Sequence, residues 1–86
     1  MIADKMAERL AGLNPTLLEV IDESESHRGH SGFREGGESH FRIRMASPAF
    51  AGLTRIQQHR LVHATLGDIV PRIHALALEL SESPDR

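Results

Sequence analysis

The sequence has no cysteine, no tryptophan and no tyrosine, and phenylalanine occurs only three times in 86 residues. Without cysteine there is no disulfide framework, which fits a reducing compartment. Nor is there a thiolate for a metal, although closed zinc and iron–sulfur sites usually draw on thiolates. A cofactor held here would need something else to complete its site. No apolar run approaches membrane-spanning length, and Met1-Ile-Ala-Asp-Lys-Met-Ala-Glu-Arg9 lacks the apolar core of a signal peptide. The expectation is a soluble, cytoplasmic protein. A net charge of −2 gives no global pull toward nucleic acid or acidic membranes.

What the chain does have is ordinary apolar content and six histidines. The apolar content argues against wholesale disorder. The length allows one domain, residues 1–86, that buries about 60–65% of its unfolded surface. Two histidines, His27 and His30, sit in the glycine- and charge-rich stretch Glu25–Gly37. His74 stands immediately before Ala75-Leu-Ala-Leu-Glu-Leu80. Imidazole binds borderline and soft transition metals, so these are nitrogen donors in a chain with no sulfur donor of the thiolate kind.

Element types change in a readable order. Asp4 is placed to cap a helix from Lys5 to about Leu13, ended by Gly12 or by Asn14 with Pro15. Thr16–Ser24 is rich enough in β-formers for a strand. The glycine-rich loop follows, and residues 25–37 are expected to be mobile. In His40–Met45, Phe41, Ile43 and Met45 alternate with Arg42 and Arg44, which is the clearest strand signal. Thr54-Arg-Ile-Gln57 reads as a capping box for a helix to about Leu66, stopped by Gly67 and Pro71. Val62, Leu66 and Ile69 lie on its inner side. Ile73–Leu80 is the last strand, with His74, Leu76, Leu78 and Leu80 on one row. Residues 1–3 and 81–86 are expected to fray.

The order α–β–β–α–β implies an α+β fold. The first two strands pair antiparallel, and a strand–helix–strand crossover sets the last parallel to the second. The economical result is a three-stranded mixed sheet with both helices on one face.

Five blocks in sequence, Leu18-Glu-Val-Ile-Asp-Glu-Ser24, Glu38-Ser-His-Phe41, Ser47-Pro-Ala-Phe-Ala-Gly52, His59-Arg-Leu-Val-His63 and Ile73-His-Ala-Leu-Ala-Leu78, together resemble the BolA family. The resemblance covers nearly the whole chain and implies a class II KH-like fold, in accord with the element order. It also implies a heterodimer with a monothiol glutaredoxin and a 2Fe–2S cluster bridged between the two. In that assembly glutaredoxin and glutathione supply sulfur. The BolA-like subunit supplies the histidine at the start of its last strand, matching His74, and a second ligand from the loop between the first two strands. Gly29 and Gly32 give His30 the greater steric freedom, which favours it over His27 as that loop ligand. No cofactor is expected in the isolated chain, which is expected to be a monomer or weak homodimer. The row of Ala75 and Ala77, with the segment after Gly67, is the candidate docking face.

The remaining histidines carry weaker signals. His59 and His63 have the i, i+4 spacing of a two-histidine metal site, but Arg60-Leu-Val62 between them lacks the glutamate of a zinc protease. A hydrogen-bonded, partly buried role is expected for both. His40 is expected to satisfy a local backbone or carboxylate group. No nucleophile or acid–base constellation is present, so an enzyme is not expected.

The alternative is a DNA-binding transcriptional regulator of stress response and cell morphology, since BolA-like proteins are linked to transcriptional control. Arg42, Arg44, Arg55, Arg60 and Arg72 are the candidate basic surface. Against it, the chain lacks the Gly-x-x-Gly loop that clamps a backbone in KH domains, and Phe33, Phe41 and Phe50 make poor stacking platforms.

Overall fold

The computed structural model describes residues 1–24 and 39–84. Helix α1 spans Ile2–Leu10, and strands β1 and β2 span Leu17–Asp22 and His40–Ala46. Helix α2 spans Arg55–Leu66, and strand β3 spans Ala75–Ser81. The strand order is β1-β2-β3, with β2 antiparallel to β1 and parallel to β3. The expected α–β–β–α–β order and mixed sheet are therefore the observed ones. The proposed mobile loop, residues 25–37, lies outside the described residues, as do His27 and His30.

The sheet sorts its two faces by strand alternation. Phe41, Ile43 and Met45 of the central strand are almost completely buried. Ile43 and Met45 pair across β1 with Val20 and Leu18, and all three pair across β3, with Leu76, Leu78 and Leu80. Met6 and Leu10 from α1, and Val62 and Leu66 from α2, complete the same core, so both helices cover one face. Arg42 and Arg44 point to the other.

Helix α1 begins at Ile2, earlier than an Asp4-capped helix would. Ile2, Met6 and Leu10 are spaced i, i+4, i+8 and all are buried. The extra turn therefore gains an apolar contact, whereas the cap at Asp4 would forgo it. Ile2 thus belongs to the core and does not fray. Asp4 instead lies in the first turn, where a carboxylate faces the positive end of the helix dipole. A 3₁₀ turn, Ala11–Leu13, leads to Asn14 in the left-handed region (φ 52°), a conformation asparagine tolerates better than most residues. Pro15 follows.

Helix α2 has the predicted capping box. Gln57 N–H donates to Thr54 Oγ1 at 3.1 Å, and Thr54 N–H donates to Gln57 Oε1 at 2.9 Å. Gly67, at φ 57°, ends the helix. The chain then continues in a 3₁₀ turn, Gly67–Arg72, that buries Ile69. This turn delays the last strand, which starts at Ala75 and not at Ile73. Arg9 straps the two helices together: its Nη1 donates to the Leu66 carbonyl and to Asp68 Oδ1, the latter at 2.6 Å. Among the described residues, no helix is long and apolar enough to cross a membrane.

Candidate functional site

Parallel pairing sets the first residues of β2 and β3 side by side, with His40 opposite Ala75. Just before the strands begin, the Ser39 carbonyl accepts two N–H donors, from His74 at 2.8 Å and from Ala75 at 3.1 Å. These bonds fix the backbone that carries His74. The His74 side chain is exposed, and its ring meets the ring of His40 at a centroid distance of 5.1 Å, tilted by 53°. His74 therefore stands at the rim of the core, at the head of the leucine row, with its ring accessible.

Behind it lies a buried polar cluster. His40 is only 4% exposed, Ser24 1% and Ser39 0%. Ser24 Oγ accepts the N–H of Ser39 at 2.9 Å and of His40 at 3.2 Å. Ser24 N–H in turn donates to Asp22 Oδ1 at 2.9 Å, and Glu23 N–H donates to the His40 carbonyl at 2.8 Å. Ser39 Oγ and His40 Nδ1 are hydrogen-bonded at 2.9 Å. The chain leaves this corner at Ser24 and returns to it at Ser39. His40 accordingly has a local partner in the Ser39 hydroxyl. Its neighbour His74 is far away in sequence, so only the parallel register could have revealed the pair.

The five arginines do not form one basic patch. Arg42 Nε and Nη1 bond Glu23 at 3.0 Å and Glu79 at 2.8 Å. Those bonds, to Glu23 first and Glu79 second, hold its guanidinium still more firmly in the charged form. Arg44 pairs with Glu19 at 2.8 Å and with Glu79 at 3.4 Å. The open sheet face is thus a ladder of alternating sign, not a cationic one. Arg44 and Arg55 do meet in one groove beside β3, together with Gln58, His59, Leu78 and Leu80. Arg60 lies on α2 beside Ile56, which is 63% exposed, and Arg72 ends the 3₁₀ turn.

His63 is exposed and His59 half-buried, and neither side chain makes a hydrogen bond among the described residues. The expected partly buried place holds for His59 alone, and the expected hydrogen bonds are absent from both side chains, because Val62 and Leu66 take the buried side of α2. Among the described residues, no three His, Cys, Asp or Glu side chains cluster as a metal site. An exposed imidazole with no companion ligands can serve one corner of a shared centre, but cannot enclose a metal by itself.

A BolA family model, described as BolA-like protein, matches residues 10–84. The DNA-binding transcriptional regulator BolA of Vibrio cholerae is 41% identical over 80 residues, covering 91% of this chain and 72% of the relative. BolA-like protein 1 of Bos taurus is 43% identical over 68 residues, covering 78% of this chain and 47% of that one. The chain thus spans about half the bovine relative's length. Among solved structures, the BolA domain of SufE1 from Arabidopsis thaliana aligns with a TM-score of 0.80 and 36% identity, covering 92% of this chain and 88% of that domain.

Proposed function

The chain belongs to the BolA family, and on that premise we propose that it is a non-enzymatic adaptor for a monothiol glutaredoxin, contributing His74 to a shared 2Fe–2S cluster. The observation that carries this reading is the exposed His74 ring on a backbone pinned by the Ser39 carbonyl. A donor held this way loses little freedom on binding, yet remains reachable by a metal brought on another molecule. The donor set of the described residues fits a cluster whose sulfur ligands arrive from glutaredoxin and glutathione. It does not fit a cluster held by this chain alone. The SufE1 setting of one structural neighbour is in keeping with an iron–sulfur role. His30, or His27 as the alternative, is the second donor in this proposal.

Mixed histidine and thiolate ligation gives a 2Fe–2S centre a higher reduction potential than thiolates alone. His74 has to present a nitrogen free of its proton, so association weakens on acidification. Ser39 keeps the β3 entry in place while that nitrogen is engaged. The test is to add the protein to a monothiol glutaredoxin loaded with a 2Fe–2S cluster and glutathione, and to record visible circular dichroism. The expected result is a changed spectrum that His74→Ala abolishes. An unchanged spectrum with the unsubstituted protein refutes the reading.

A second reading is DNA binding, favoured by the name of the Vibrio cholerae relative and by Arg55 and Arg60, which form no ion pair among the described residues. The glutamates facing Arg42 and Arg44 weigh against it. Charge reversal at Arg55 and Arg60 separates the readings. It should remove DNA binding and its steep salt dependence while leaving the His74-dependent spectrum in place.

A further inference from the structure

Four polar side-chain residues are buried among the described residues, and three of them, Ser24, Ser39 and His40, occupy the one corner behind His74. Burying polar groups costs free energy unless each is hydrogen-bonded, and an apolar filling of the same shape is often no worse for stability. In this cluster a chain of bonds leads to the segment that carries His74. Ser24 Oγ fixes the backbone of Ser39 and His40. The Ser39 carbonyl then fixes the backbone of His74 and Ala75, and its hydroxyl fixes the ring of His40. The His40 ring, finally, stands 5.1 Å from the ring of His74.

His74 itself lies outside β3, in the bend between the 3₁₀ turn and the strand. An exposed side chain in such a bend ordinarily samples several rotamers. From this geometry we propose that Ser39 and His40 are positioning residues for His74: Ser39 orients the His40 ring, and that ring restricts the rotamer of His74. The inference rests on the reading of His74 as a metal donor for its purpose, but the positioning itself is a property of the free chain. Outer residues that orient a ligating histidine commonly change metal affinity by about 10- to 100-fold when replaced.

Two substitutions in the full chain test this. Ser39→Ala removes the hydroxyl bonded to His40 Nδ1 and leaves the carbonyl that receives His74 N–H. His40→Asn keeps a polar group near the place of Nδ1 but deletes the ring edge that meets His74. In the unsubstituted protein, three-bond couplings across the His74 χ1 bond should report one dominant rotamer. Both variants should show averaged couplings at His74, with the backbone amide shifts of Phe41–Met45 preserved. In titrations against the cluster-loaded glutaredoxin, both should need about 10- to 100-fold more protein to reach the half-maximal change in visible circular dichroism.

Couplings at His74 that are the same in the unsubstituted protein and both variants overturn the proposal. If Ser39→Ala does not fold, His40→Asn alone decides. If neither folds, the cluster serves the fold and not His74, and the proposal fails. Loss of the adaptor reading is distinguishable, because it shows as a spectrum insensitive to His74→Ala while the coupling measurement on the free protein still stands.

Discussion

Two polar networks flank the central strand, and they differ in what water does to them. At Ser24, Ser39 and His40 the side chains are two hydroxyls and an imidazole, all nearly shut away from solvent. A few residues along, Arg42 and Arg44 meet Glu19, Glu23 and Glu79 on the open face, with side chains between 31% and 50% exposed. The second network has the full charges, so it looks the stronger. Solvent reverses that ranking. An exposed pair gives up hydration and side-chain entropy for a screened attraction, whereas a buried donor deprived of its acceptor has no water to turn to.

The largest effect that separates the networks should come from Ser24→Ala. It strands the N–H groups of Ser39 and His40 in the interior, and the loss should be about 2–4 kcal/mol, read by urea unfolding. If the midpoint hardly moves, the buried network is not the stiffer one. Ser39→Ala comes next, at about 1 kcal/mol, because it removes one side-chain bond and no backbone bond. Glu79→Gln should cost less again. Its effect should shrink further in 1 M salt, since this glutamate touches both arginines from the solvent side. A salt-insensitive loss would contradict the comparison.

His74→Ala should leave thermal unfolding almost unchanged, within about 0.5 kcal/mol, while removing the glutaredoxin-dependent spectrum. The smallest effect concerns acid. Arg9 holds the Asp68 carboxyl below the usual carboxylate range, chiefly through their hydrogen bond. The stability this contributes is present above the ordinary carboxylate value and disappears as pH falls through the lower, folded one. Asp68→Asn should therefore flatten the acid side of the stability profile slightly. A steeper acid side in that variant would contradict the assignment.

Much of this architecture was legible in the residues because local rules and tertiary needs agreed. The alternation from Phe41 to Met45, the leucine row from Leu76 to Leu80 and the Thr54–Gln57 box each specify one structure, and each is observed. Where the two disagreed, packing won. Asp4 is a good cap, but burying Ile2 outweighed it and moved the start of α1. The site was half legible. His74 stands out in the sequence just ahead of the leucine row, and the structure places it at the entry to β3. The contact with His40 could not be read there, because it depends on how two remote strands are staggered, and periodicity within either strand is blind to that.

Gly67 shows how little separates the two helices from a different arrangement. A methyl group in place of its hydrogen would sit 3.5 Å from Arg9 Nη1, an ordinary van der Waals distance, so there is room for one. The obstacle is torsional: at φ 57° and ψ −123° an L-residue with a β-carbon is penalised by about 1–3 kcal/mol. Alanine, the best helix former, is therefore the wrong choice there. It would favour one more turn of α2, whose own N–H groups would compete with the guanidinium of Arg9 for the Leu66 carbonyl.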